Sequence, residues 1–193
     1  MIKYDIQLDG TRPLLMHNIR ALGDPLHPVA KAIKRVSAKR KKTEEDHLEM
    51  RKLEFFGGLY MDDEEGPYVP AVNFMRCLVD AARITREGKN VERGVIVLND
   101  IGRLEYGGPR TAEGLWEDES FRSIEMVRVG QARVARCRPM FRNWSTSFEA
   151  QVDTAIMSPE DFDEILHKAG NMVGLGDFRP RFGRFTATKV EVG

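Results

Sequence analysis

Twelve consecutive residues, Gly174-Leu175-Gly176-Asp177-Phe178-Arg179-Pro180-Arg181-Phe182-Gly183-Arg184-Phe185, hold the densest set of groups in the chain able to grip an anion. They comprise three glycines, three arginines, three phenylalanines, one acid, a leucine and a proline. A glycine turn lets backbone N–H groups come close to a ligand, and successive N–H groups in such a turn form an anion-binding concavity. Arg179, Arg181 and Arg184 add forked donors that match phosphate oxygens, and the phenylalanine rings offer faces on which bases can stack. Gly174, Gly176 and Gly183 together with those arginines are therefore candidate nucleic-acid contacts. A helix cap followed by a turn into a last strand would use the same residues for structural reasons alone.

Two more basic stretches carry the same chemistry. Between Arg128 and Arg142 there are five arginines and no acid. With Ala132–Arg138 as a strand, Val134, Arg136 and Arg138 share one face. Two arginines there argue against a core, so that face is expected to meet solvent or a ligand. Arg142 and Trp144 follow, placing a guanidinium and a large ring nearby, the combination that holds single strands without sequence preference. A core tryptophan and surface-paired arginines are the structural alternatives. Lys39, Arg40, Lys41 and Lys42 close a run of seven bases that begins at Lys31 and contains no acid. They are expected to form a flexible basic arm that grips the strand or a neighbouring copy.

Acids gather elsewhere, over Glu44–Glu65, Glu113–Glu125 and Glu160–Glu164, so the formal net charge of zero conceals segregated charge. Copies meeting head to tail, acidic surface against basic surface, would build a filament.

Catalytic patterns are sparse. His17, in Leu14-Leu15-Met16-His17-Asn18, is the best candidate for a general base, with His27 next. A structural histidine bonded to backbone is the alternative. The chain has no His-x-His, His-Glu-x-x-His or Cys-x-x-Cys for zinc, and no phosphate-binding Gly-x-x-x-x-Gly-Lys-Ser/Thr. Asp62-Asp63-Glu64-Glu65 reads as a solvated turn rather than a metal site. Neither a metal nor a cofactor is expected. Cys77 and Cys137 read as buried free thiols of a reducing compartment. With no apolar signal core at the amino end and no membrane-length run, a cytoplasmic location without a membrane partner is expected.

The elements that must position these groups follow from periodicity. Tyr4, Ile6 and Leu8 alternate with polar residues up to Gly10, as a half-buried strand does. Thr43 and Asp46 form a capping box for a helix over about 44–55, stopped by Gly57-Gly58. After Pro70, Met75, Leu78, Val79 and Ala82 fall at i, i+3, i+4 and i+7, with Phe74, Cys77 and Ala81 widening the stripe, which predicts a buried helix ending near Gly88. Strand-like runs follow at Val95–Leu98 and Arg103–Tyr106, at Ile124–Val129 with Ala132–Arg138 around a turn, and at Ser147–Asp153. Ser158-Pro159-Glu160-Asp161 starts a helix, and Phe185–Val192 is the last strand. The order predicts an α+β fold: a ferredoxin-like (RRM-like) antiparallel sheet with helices on one face. One domain over 1–193 is expected, with a basic, helical insertion at about 20–66 after the first strand.

Two stretches sharpen this reading. Pro67-Tyr68-Val69-Pro70-Ala71-Val72-Asn73-Phe74-Met75-Arg76-Cys77-Leu78 resembles the hydrophobic-Pro-Gly-Ser-Ser-Leu-Lys-Gly approach to the first helix in the RAMP superfamily. Gly174–Phe185 resembles the same superfamily's glycine-rich loop. Its members are RRM-like proteins that form backbone and guide-processing subunits of CRISPR complexes, and a stand-alone or phage-encoded relative would leave the same traces. The resemblance implies loop contacts to an RNA or single-stranded DNA backbone and polymerisation along the strand. Its guide-processing members imply a rival, a metal-independent RNA endonuclease that uses the 2′-hydroxyl as nucleophile, with His17 as base. A protein-only interaction module or inhibitor on the same fold is the third reading.

Overall fold

The alternation of Tyr4, Ile6 and Leu8 with Lys3, Asp5, Gln7 and Asp9 is realised in the first strand, where the apolar set is buried. The computed structural model describes residues 1–192, with Val129 and Ala132 described through their backbone alone. In chain order its first elements are β1 (Ile2–Gly10), β2 (Leu14–Leu15), α1 (Ile19–Gly23), α2 (Pro28–Ser37) and α3 (Glu44–Gly58). Next come β3 (Met61–Asp62), β4 (Gly66–Pro70), α4 (Ala71–Arg83), α5 (Gly88–Gly94), β5 (Val95–Val97) and β6 (Ile101–Glu105). Then α6 (Ala112–Glu117), β7 (Arg122–Val129), β8 (Ala132–Phe141), β9 (Ser145–Val152), α7 (Pro159–Lys168) and β10 (Phe185–Val192) complete the chain.

These elements divide into two compact units. The first takes Met1–Leu14, Asp62–Gly107 and the chain from Arg142 onward; the second takes Leu15–Met61 and Gly108–Phe141. The segment anticipated as an insertion, about 20–66, falls largely in the second unit, which also recruits a second excursion of the chain.

In the first unit the sheet order is β10-β1-β9-β6-β4-β3, with β5 also paired to β9. The ladders β1–β10, β1–β9, β5–β9 and β6–β9 are all antiparallel. β5 and β6 are two halves of one strand, interrupted at Leu98–Asp100, where Leu98 N–H donates to Glu149 O at 2.9 Å. Taking them as one strand, the inner order is last-first-third-second, with α4 and α7 as the crossover helices. That is the split βαβ topology of the ferredoxin-like class, as the order of elements predicted.

Pro70 opens α4, and Phe74, Cys77, Leu78, Ala81 and Ala82 bury one stripe against the sheet. Phe74 stacks on Phe148 of β9 with ring centroids 4.5 Å apart, and Phe162 of α7 stacks on Tyr4 of β1 at 5.9 Å. The helix stops at Arg83, short of the Gly88 expected from the sequence. The chain turns through Arg86, whose φ of +67° no helix continues, and Gly88 opens a second helix. Ser158 caps α7 by accepting the Asp161 N–H at 3.1 Å.

The second unit joins α1, α2, α3 and α6 to the β7–β8 hairpin, and β2 lies beside β8. The Thr43–Asp46 capping box forms as its spacing predicted, each side chain accepting the other residue's N–H. The basic stretch from Lys31 is partly helical: Pro28 occupies the first turn of α2, where a missing N–H is tolerated. Its core gathers Phe55, Val36, Leu115 and Phe141, with Phe55 edge-on to Trp116 at 5.4 Å. Phe74→Ala is expected to destabilise the first unit by about 3–5 kcal/mol, the usual cost of emptying an aromatic site; chemical denaturation monitored by circular dichroism checks it.

Candidate nucleic-acid interface

The glycine loop is built by two backbone segments crossing at close range. Gly174 has φ +81° and ends a turn of π-helix over Ala169–Val173, donating to Ala169 O at 2.7 Å. Leu175 N–H donates to Gly183 O and Gly183 N–H donates to Pro13 O, both at 2.8 Å. Gly183 has φ +72°, and a Cβ there would overlap the carbonyl oxygen of Leu175. The N–H groups of Gly174 and Gly183 are thus spent inside the fold, which corrects their assignment to an anion cradle. Gly176, at φ +76°, lines an open groove of about 580 Å³ with Ile84, Met172, Phe178 and Arg179.

The loop arginines have divergent fates. Arg179 donates to Gly174 O at 3.4 Å and reaches Asp80 at 3.6 Å. The same carboxylate receives Arg76 at 3.0 Å and Arg83 at 3.1 Å, so three guanidinium groups converge on one acid. Glu92, at 3.3 Å from Arg83, takes up part of the excess. Arg184 donates to Pro180 O at 2.8 Å, while Arg181 is exposed beside the Phe182 ring. Cys77 lies beneath, its Sγ 3.2 Å from Gly174 O, and burial pushes its thiol up to about 12.

Three other expectations are corrected. Trp144 is buried at 4% exposure, donates to Arg12 O at 2.9 Å and packs over Gly10, so it presents no face to a base. Arg138 is buried as well, donating to Cys137 O at 3.2 Å. Arg136 pairs with Glu54 at 2.6 Å, and the other Glu54 oxygen accepts the Cys137 N–H at 2.8 Å. The strand face read as open is therefore neutralised by a carboxylate from α3, only 3% exposed and far away in sequence. The basic arm is likewise tied down. Lys39 pairs with Asp46, the hydrogen bond holding its pKa above the ordinary lysine value, and Lys42 donates to Ser37 O and Lys39 O at 3.0 Å. Arg40, Lys41 and Arg142 are exposed. His17 is half-buried, and its carbonyl oxygen accepts the Tyr60 hydroxyl at 3.2 Å.

What the sequence reading missed is the opposite face of the hairpin. Directly paired residues point the same way, so Arg128 and Arg133 share a face with Met126 and Ala135, and with Ile124 and Cys137. Ile124, Met126, Arg128, Arg133 and Ala135 are exposed, and no acid of either strand shares that face. At its base Arg122 lies over Trp116, 4.7 Å from the ring centroid. The half-exposed tryptophan with an arginine beside it is Trp116, which the surrounding acids Glu113 and Glu117 obscured in the sequence.

The open face of the first unit's sheet has a different character. Asp5, Gln7 and Asp9 of β1, Ser147 of β9 and Thr186 and Thr188 of β10 are exposed there. Lys3 is paired with Glu149 at 2.8 Å, and Arg103 with Glu105 at 3.1 Å and Glu65 at 3.4 Å. The aromatic of this face is Tyr68 of β4, half-buried and directly opposite Arg103, while no aromatic stands at the exposed positions of β1, β9 or β10.

The first unit is thus a ferredoxin-like α+β sheet, and the basic groups lie on its glycine loop and on the hairpin of the second unit. No family model matches the chain, and no curated protein matches it. Gly183→Ala should cost at least about 1–3 kcal/mol through the left-handed backbone alone, read as a lowered midpoint of thermal unfolding.

Proposed function

We propose that the protein binds single-stranded nucleic acid, RNA or DNA, through its phosphate backbone and assembles with copies of itself along the strand, as a relative of the RAMP superfamily. The observation that carries the reading is the acid-free hairpin face. Arg128 and Arg133 stand directly opposite each other, an arrangement that weakens a hairpin through like-charge repulsion. Ile124 and Met126, 47% and 57% exposed, add apolar surface to the same face. Arg128 Nε also donates to Gly130 O at 3.0 Å within the turn, and the opposed charges with the exposed apolar pair suit a polyanion with exposed bases. The convergence of Arg76, Arg83 and Arg179 on Asp80 supplies a second positive surface next to the glycine loop that resembles the family's. The split βαβ topology is the one the resemblance implies.

Self-assembly rests on charge complementarity. The open sheet face exposes Asp5 and Asp9, and the α2–α3 connection exposes Arg40 and Lys41. A contact between such unlike surfaces, repeated on successive copies, extends into a filament where its rotation does not close a ring. Sedimentation velocity with and without a single-stranded oligonucleotide should show a larger species in its presence; a monomer under both conditions overturns assembly.

The hairpin contact predicts a salt dependence. Each phosphate contact on a single strand contributes about −0.7 to the slope of log affinity against log salt. Arg128→Ala with Arg133→Ala should weaken oligonucleotide binding for all sequences and reduce the slope by about 1.4. Fluorescence anisotropy across a salt series measures both quantities, and an unchanged slope would refute the hairpin contact.

A further inference from the structure

A groove of about 230 Å³ opens at the base of the hairpin face within the second unit. Leu48 and Arg51 of α3 form one wall, and Ile124 and Arg122 of β7 form the other. Trp116 lines it between them, held edge-on by Phe55 and covered in part by the Arg122 guanidinium. Glu119 also lines the groove, its carboxylate held by one arm of Arg122 at 2.9 Å, and the buried Arg122 Nε has no hydrogen-bond partner among the described residues. The floor is Cys137, and burial pushes its thiol up to about 11, so the floor is neutral at ordinary pH. Leu48 and Ile124, 55% and 47% exposed, leave apolar lips at the mouth.

We infer that this groove is a subsite for one unpaired nucleobase of a bound strand. The inference rests on the nucleic-acid reading above and adds to it the part of the ligand that phosphate contacts leave unread. The site supplies what a base needs. An indole and a guanidinium, both planar, line one side, and apolar carbons line the mouth. Arg51, exposed on the wall, is placed for an adjoining phosphate. Stacking of this kind accepts every base, because each has a π-face. The groove therefore anchors the strand without setting a sequence. The exposed apolar lips, which cost solubility in the free protein, acquire a use once a base lies between them.

The test compares two labelled oligomers of equal length at low salt, one of deoxythymidine and one abasic. Base stacking contributes about 1–3 kcal/mol per base, so the wild-type protein should prefer the base-bearing strand by roughly 5- to 140-fold. Leu48→Glu, which sets a carboxylate at the mouth from an exposed helix position, should collapse that ratio towards one. Ile124→Glu from the opposite lip is the second variant, and matched thermal melting establishes that each variant is folded. Quenching of Trp116 fluorescence should accompany binding, since the other tryptophan is buried. Equal binding of both oligomers by the wild type overturns the subsite and leaves the backbone reading standing. A preference that survives both variants places the base elsewhere and also overturns it. Binding of neither oligomer overturns the nucleic-acid reading itself.

Discussion

The central strand β1 is hydrogen-bonded along both edges, to β9 on one side and β10 on the other. This double pairing fixes which of its residues face the helices, because a slip of one residue would turn Tyr4, Ile6 and Leu8 out and Lys3, Asp5 and Gln7 in. The aromatic stacks of Phe162 on Tyr4 and Phe74 on Phe148 then set where α7 and α4 can rest. The glycine loop takes its place from the same source. It leaves α7, crosses itself at Gly183, hangs on Pro13 just beyond β1, and delivers the chain into β10. The arginines around Asp80 are positioned by this frame, with Arg76 and Arg83 on α4 and Arg179 on the loop.

Much of that frame was legible in the sequence because it rests on short-range rules. Alternation gave β1, a serine before proline gave the start of α7, and the threonine–aspartate spacing gave the start of α3. The class of fold followed from the order of elements. The sequence did not reveal that 108–141 would join 15–61 to make a unit of its own, since nothing local marks which hairpin packs on which helix. It also overextended α4, because the left-handed turn at Arg86 carries no glycine to announce it.

The candidate site was harder to read for an electrostatic reason. A run of arginines without a nearby acid looks uncompensated in sequence, but compensation is a matter of space. Glu54 neutralises Arg136 from a different element, Asp80 gathers arginines from a helix and a loop, and Asp46 takes Lys39 across a helix connection. Tryptophans were misjudged for a parallel reason. Trp144 sits among basic and polar residues yet fills the space over Gly10, whereas Trp116 sits among acids yet lies against Arg122. Only the cross-strand pairing of β7 with β8 separates the neutralised face of that hairpin from the acid-free one.

The pairing of Lys3 with Val192 has a consequence for how the chain is made. Of the described strands β1 is made before the others, and its two neighbours, β9 and β10, are made after the rest. Its apolar row therefore has no sheet to join until β9 and β10 have been made. Ladders of such long sequence separation form slowly, because a large loop must close before any contact rewards it. The second unit, complete at Phe141 just ahead of β9 and well ahead of β10, can begin to condense on the ribosome while β1 waits. The strand that organises the first unit is thus the first part of it made and the last part of it satisfied.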